Sequence, residues 1–224
     1  MKPMRNQTAI FKRLMLTVCT VAALGGSLTA CFPLVLGGAV AGGALVAIDR
    51  RTAGTQLDDE GIELRAMSRL RDSIGSRARV SVTSYNRQVL LTGEVLNEQD
   101  KKLVEQVVAR LENVNAVVNE LAIIDSPSLV QRTSDVLITG QLKALLIDAR
   151  DIFANAFKVV TERGTVYLMG RVTQREADRA TEIARDARGV QKVVRILEII
   201  SEDELRSMTP GATKPTAPAR APGY

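Results

Sequence analysis

Two cysteines, Cys19 and Cys31, and no histidine occur among the 224 residues. Without imidazole there is no His-containing zinc site and no Ser-His-Asp or Cys-His catalysis. Carboxylates are left for acid–base work, and their densest cluster is Asp58-Asp59-Glu60. Carboxylates at a helix start cap free N–H groups and suit the dipole, so this cluster reads as structural. No catalytic residue, metal site or small-molecule substrate is expected, and an enzyme is the least favoured reading.

Cys31 has the most informative surroundings. Lys2, Arg5, Lys12 and Arg13 precede an apolar run from Leu14 to Leu28, which ends in Leu28-Thr29-Ala30-Cys31. Basic head, apolar middle and small-residue end describe a secretory signal. A cleaved signal with a chance cysteine and an uncleaved anchor helix are the alternatives. The last four residues resemble the lipobox of bacterial lipoproteins, whose cysteine sulfur receives a diacylglycerol and becomes residue one. The resemblance implies that residues 1–30 are removed and that Cys31 carries a diacylglycerol and an N-acyl group. No other cofactor is expected. Two acyl chains suffice for stable anchoring. Phe32, where an inner-membrane retention signal would have Asp, implies delivery to the outer membrane of a Gram-negative cell, on its periplasmic face. Cys19 would be lost, so the mature monomer has no disulfide.

The formal charge of +5 falls to +1 once the four basic residues of the signal are gone. With three Tyr, four Phe and no Trp, base-stacking platforms are not expected, nor is nucleic acid as a partner. Residues 31–56 form a Gly/Ala-rich segment. Its apolar part, Phe32 to Ile48, falls just short of a bilayer span and reads as membrane-proximal, with a second spanning helix as the alternative. Arg50 and Arg51 either lie near acidic headgroups or end a solvated linker.

The elements that follow occur twice. Val89-Leu90-Leu91-Thr92-Gly93-Glu94-Val95 matches Val166-Tyr167-Leu168-Met169-Gly170-Arg171-Val172, and Val114-Asn115-Ala116-Val117-Val118 matches Val190-Gln191-Lys192-Val193-Val194. Internal similarity of this kind defines two copies of one module. Residues 57–125 form copy one, 126–131 a linker containing Ser126-Pro127-Ser128, and 132–201 copy two. The Pro-rich tail, 202–224, is expected to be disordered. In copy one, Asp58 and Asp59 start a helix with Ile62, Ala66, Leu70 and Ile74 at helical spacing. Alternating strands follow through Val80–Val82 and Val89–Val95. Asn97 or Asp100 then caps a second helix, and a third strand runs through Val117, Asn119, Leu121 and Ile123. In copy two, Ser134 or Asp135 caps the first helix, and the same order repeats. The fold class is α+β, each copy α-β-β-α-β with a small sheet packed by two helices. Gly93 and Gly170, both mid-strand, are structural glycines at a bulge or under a crossing helix, with a ligand contact as the alternative.

Leu91-Thr92-Gly93-Glu94-Val95 with Val114-Asn115-Ala116-Val117-Val118-Asn119, and Leu168-Met169-Gly170-Arg171-Val172 with Gly189-Val190-Gln191-Lys192-Val193-Val194, resemble the BON domain. The lipobox, the Gly/Ala-rich segment and two such copies together resemble the dual-BON outer-membrane lipoproteins. This resemblance implies a non-enzymatic envelope protein that binds anionic phospholipid, phosphatidylglycerol or cardiolipin, through the first helix of copy two and supports envelope integrity. The matching positions are Leu137, Ile138, Gln141 and Leu142. Val136 joins them, because Val136, Leu137 and Ile138 in succession cannot all face one core. Residues 57–125 carry net −3 and residues 132–201 net +3, and a basic copy two suits an anionic surface. The alternative is an adaptor that docks envelope-assembly or peptidoglycan-remodelling proteins, with acidic copy one as the contact surface.

Overall fold

The computed structural model describes residues 49–124 and 129–208. Expectations for the signal, Cys31, the segment to Ile48, Ser126-Pro127-Ser128 and residues 209–224 lie outside the described residues.

Copy one runs α1 (Ala53–Ile74), β1 (Arg79–Tyr85), β2 (Gln88–Val95), α2 (Glu98–Ala109), β3 (Ala116–Asn119) and β4 (Ala122–Ile123). Copy two runs α3 (Leu129–Asp148), β5 (Phe157–Glu162), β6 (Thr165–Thr173), α4 (Gln174–Asp186) and β7 (Lys192–Ile200). In each sheet the first two strands form an antiparallel hairpin, and the third element returns parallel to the second. The expected third strand of copy one is broken into β3 and β4, both pairing with β2. Between them Leu121 is buried in the helix-facing core.

Asn97 caps α2, accepting the Asp100 N–H at 2.8 Å. Thr173 and Glu176 form a capping box on α4. The expected caps of the first helices are corrected. Thr52 caps α1, and α3 already begins at Leu129, six residues before Asp135. Asp59 and Asp135 lie inside their helices and are buried. Each clamps the hairpin turn of its own copy. Asp59 accepts the Asn86 and Arg87 N–H groups at 2.8 Å each. Asp135 accepts those of Arg163 and Gly164, also at 2.8 Å. Both turns hold their two central residues at positive φ, between 51° and 68°. That is the type I′ geometry that closes a tight hairpin. Asp58 pairs with Arg87 at 2.6 Å, so both aspartates of the acid cluster hold the turn. The linker too is shorter than 126–131, since α3 includes residues 129–131. The tail is shorter than 202–224, since Glu202–Met208 forms a helix, α5. Arg171 holds α5 through Glu204 at 2.6 Å.

Helical periodicity places Ile62, Ala66, Leu70 and Ile74 against Val89, Leu91 and Val95 of β2 and Val104 and Val108 of α2. Copy two repeats this with Ile138, Leu142 and Leu146 against Val166, Leu168 and Val172 and the alanines of α4. The alternate residues of the same strands, Leu90 on β2 and Tyr167 and Met169 on β6, point to the other faces of their sheets. There they join Tyr85 and Ile196 in a third buried cluster. The two copies therefore meet through the faces of their sheets that carry no helices. Ion pairs edge this contact: Arg79 to Glu162 at 2.6 Å and Lys158 to Glu63 at 2.9 Å.

The phenols of Tyr85 and Tyr167 are bound into this contact. Burial, aided by the charge of Asp49 for Tyr85 and of Glu120 for Tyr167, pushes both up to about 12 from an ordinary 10.0. A raised folded pKa contributes stability that is complete below pH 10 and lost as pH rises through 12. Alkaline titration should show both phenolates appearing late, together with loss of circular dichroism signal. Phenolates appearing near pH 10 in the folded chain would contradict this.

Gly93 and Gly170 are structural, but their close neighbour is a strand. A Cβ on Gly93 would lie 2.0 Å from the Arg79 carbonyl oxygen, and one on Gly170 would lie 2.4 Å from that of Ala156. Both oxygens precede or begin the adjacent hairpin strand, so the expected crossing helix is not the cause.

Arg50 and Arg51 take up neither of their expected roles. Arg50 is buried and makes two 2.7 Å bonds to Glu176 of α4, with a third at 3.1 Å to the Arg171 carbonyl. Arg51 reaches Asp59 of α1 at 2.7 Å, pairs with Asp49, and stacks on the Tyr85 ring at 4.3 Å. Two successive residues thus fasten the start of the described chain to both copies.

Candidate functional site

The first helix of copy two must bury one stripe and expose the other. Ile138, Leu142 and Leu146 recur at helical spacing and form the buried stripe. Two of the five expected lipid-contact residues, Ile138 and Leu142, are therefore core residues, 5% and 0% exposed. The other three, Val136, Leu137 and Gln141, lie on the outside of α3. Val136 and Leu137 are 71% and 69% exposed. Because α3 starts at Leu129, they sit well inside a regular helix and not at its first turn.

Sequence reasoning missed Ile147, which is 71% exposed. Eleven residues make about three helical turns, so Ile147 returns to the face of Val136. Gly140 and Ala144 lie exposed between them. No heavy atom stands within 4 Å of where a Gly140 Cβ would be, so internal packing does not require that glycine. The signal was the run Leu145-Leu146-Ile147, longer than one helix face can bury. Phe153, also exposed, lies under the Arg50 guanidinium at 5.7 Å.

The internal repeat supplies a control. Ile62, Ala66 and Leu70 of α1 match Ile138, Leu142 and Leu146 of α3 as core residues. In that alignment Val136, Leu137 and Ile147 correspond to Glu60, Gly61 and Arg71. Copy one has charge or no side chain where copy two has an exposed apolar ridge. Isolated exposed apolar residues are ordinary on protein surfaces, whereas a ridge three turns long, at positions that copy one leaves without apolar side chains, marks a contact surface. Lys143 lies beside the ridge, and among the described residues it makes no ion pair.

Chemically this surface offers exposed aliphatic area with one lysine beside it. Among the described residues no cluster of Cys, Asp and Glu could hold a metal ion, and no helix is long and apolar enough to cross a membrane.

A family model described as the BON domain matches residues 58–125 and 134–200. The chain is 38% identical over 176 residues to an outer membrane lipoprotein, DolP, of Haemophilus influenzae, covering 77% of this chain and 90% of that protein. It is 34% identical over 155 residues to the 21 kDa hemolysin of Actinobacillus pleuropneumoniae, covering 68% and 80%. It is 28% identical over 144 residues to osmotically-inducible protein Y of Escherichia coli, covering 62% and 72%.

Proposed function

The chain belongs to the BON-domain family, and from that membership we infer an envelope lipoprotein, anchored through Cys31 at the periplasmic face of the outer membrane, that docks anionic phospholipid through α3 and supports envelope integrity. The observation that carries the docking is the exposed ridge of Val136, Leu137 and Ile147, absent from the equivalent face of copy one. Apolar side chains on a surface helix enter the headgroup–acyl boundary, and basic neighbours add attraction to anionic lipid. Similarity to an outer membrane lipoprotein along most of the chain supports the location. The relative named as a hemolysin fits perturbation of lipid better than catalysis.

The test is vesicle binding by the mature chain carrying Cys31→Ser, so that no acyl chain is attached. Leu137→Glu and Ile147→Glu are each expected to lower affinity for phosphatidylglycerol vesicles by roughly tenfold or more, the equivalent of losing one buried aliphatic side chain. Both positions are exposed, so circular dichroism should be unchanged. Wild-type binding by both variants would remove α3 as the docking face.

A second reading, docking of envelope-assembly proteins, draws on exposed Leu57, Leu64 and Met67 on α1 of the acidic copy. Site-specific crosslinking from Leu64 in cells should then trap a stoichiometric protein partner, and failure to trap one counts against this reading.

A further inference from the structure

Exposed apolar residues also recur on α1, at positions that lipid docking does not use. Leu57, Leu64 and Met67 are 70%, 65% and 49% exposed. Leu57, Gly61, Leu64 and Ser68 follow one another at spacings of four, three and four, the seven-residue rhythm of a helix–helix seam. Large and small side chains alternate along it. A glycine inside a helix costs about 1 kcal/mol against alanine. Packing within the molecule does not require Gly61, since a Cβ there would meet only the flexible end of Arg65, at 2.9 Å. Nor does the module need the two leucines: Thr133 and Gly140 stand at their places in copy two.

The charges along α1 are graded. Asp58 and Glu60 lie in its first half and Arg65, Arg69 and Arg71 in its second, with Asp72 the one acid among them. Glu63, at the middle, is held within the molecule by the Ser84 N–H at 2.8 Å and Lys158 at 2.9 Å. Glu60, Arg69 and Arg71 are exposed and make no ion pair among the described residues. A helix graded in this way is complementary to itself when turned end for end. Turned about a point between Ile62 and Glu63, it sets Leu57 against Ser68, and Leu64 against Gly61, of the other helix. Each leucine then meets a small residue. Side chains on a helix lean towards its N-terminus, so Glu60 and Arg71, on one side of the seam, lean towards each other across the pair.

We propose that α1 is a self-association face, on which a second molecule of this chain packs antiparallel through Leu57, Gly61, Leu64 and Ser68. This rests on the second reading above, that α1 of copy one is a protein contact surface, and names the chain itself as occupant in place of an assembly protein. A seam of four positions a side is smaller than stable interfaces, which bury about 1,200–2,000 Å². The pair is therefore weak in solution and is strengthened where both molecules share one membrane, which raises their effective concentration.

The experiment uses the full chain in cells, as two differently tagged populations. Leu57→Cys in one and Ser68→Cys in the other should form an intermolecular disulfide under mild oxidation, whereas either substitution in both populations should not. Both positions are exposed, so the fold is unaffected. Adding Glu60→Arg should lower the disulfide yield by roughly tenfold, because the two-fold repeats the ion pair. Adding Arg71→Glu to that variant should restore it. Disulfides only between Leu57→Cys chains would overturn the antiparallel pairing, and so would a yield that Glu60→Arg leaves unchanged. If no disulfide forms, photocrosslinking from Leu64 separates the two readings. An adduct with another protein overturns self-association and keeps α1 as a docking face, and no adduct overturns both.

Discussion

Gly93→Ala is expected to be the most destabilising single methyl that could be added to the described chain. The new Cβ would stand 2.0 Å from the Arg79 carbonyl oxygen, and the residue would keep a φ of +117°. The oxygen belongs to backbone paired in the β1–β2 hairpin, so it cannot swing aside as a flexible side chain would. Overpacking costs about 1–3 kcal/mol and a strained backbone region a similar amount, so about 3–5 kcal/mol is expected. That is a large part of the 5–15 kcal/mol by which domains are stable. For a unit of this size the midpoint of thermal unfolding should fall by roughly 10 °C or more. Gly170→Ala meets the Ala156 carbonyl oxygen at 2.4 Å without the positive φ, so its effect should be smaller but of the same kind. Calorimetry of both variants checks the order. Equal, near-zero shifts would mean that the hairpins yield, and that a ligand contact is the better explanation of these glycines.

Arg50→Ala should have the next largest effect. Its guanidinium and the Glu176 carboxylate are both almost wholly buried, with side-chain exposures of 5% and 1%. Removing one partner leaves the other charge buried alone, at a cost of about 3–5 kcal/mol. Removing both, in Arg50→Met with Glu176→Gln, should be much milder, and a double-mutant cycle measures the coupling. The pH dependence carries a sign. Burial alone would raise the Glu176 carboxyl, but the bonds and charge of Arg50, with the Thr173 N–H and hydroxyl, hold it below its ordinary 4.5. A depressed carboxylate contributes stability that is present above pH 4.5 and lost as pH falls through the folded value. In Arg50→Ala only the Thr173 bonds still oppose the burial, and the Glu176 carboxyl is expected to move up. The Glu176 contribution should then improve as pH falls towards 4.5. Urea unfolding from pH 7 to pH 4 distinguishes the two slopes, and parallel slopes would show that Glu176 is not held by Arg50.

Much of this architecture is written locally. Helix spacing through Ile62–Ile74 and Ile138–Leu146, strand alternation, turn residues and the matched segments 77 positions apart were readable because each depends on near neighbours. So was the exposure of Val136 and Leu137, since one helix cannot bury three successive residues. Misreadings arose where one residue type answers to two causes. A carboxylate near a helix start is the signal for a cap, yet Asp59 and Asp135 turn inward and hold hairpins. A mid-strand glycine announces a close neighbour but does not say which. Ile147 was hidden because the core claim of Leu146 next to it seemed to account for the run.

The sequence by itself determined that the chain holds two α+β copies and which residues line each helix–sheet core. Only the tertiary structure decided that the copies meet through their helix-free sheet faces, that Arg50 finds Glu176 across 126 positions, and that Ile147 lies exposed on the Val136 side of α3. The physical reason is range. Periodicity and propensity act over a few residues, whereas the partner of a buried charge, or its lack of one, depends on how separate sheets and helices pack.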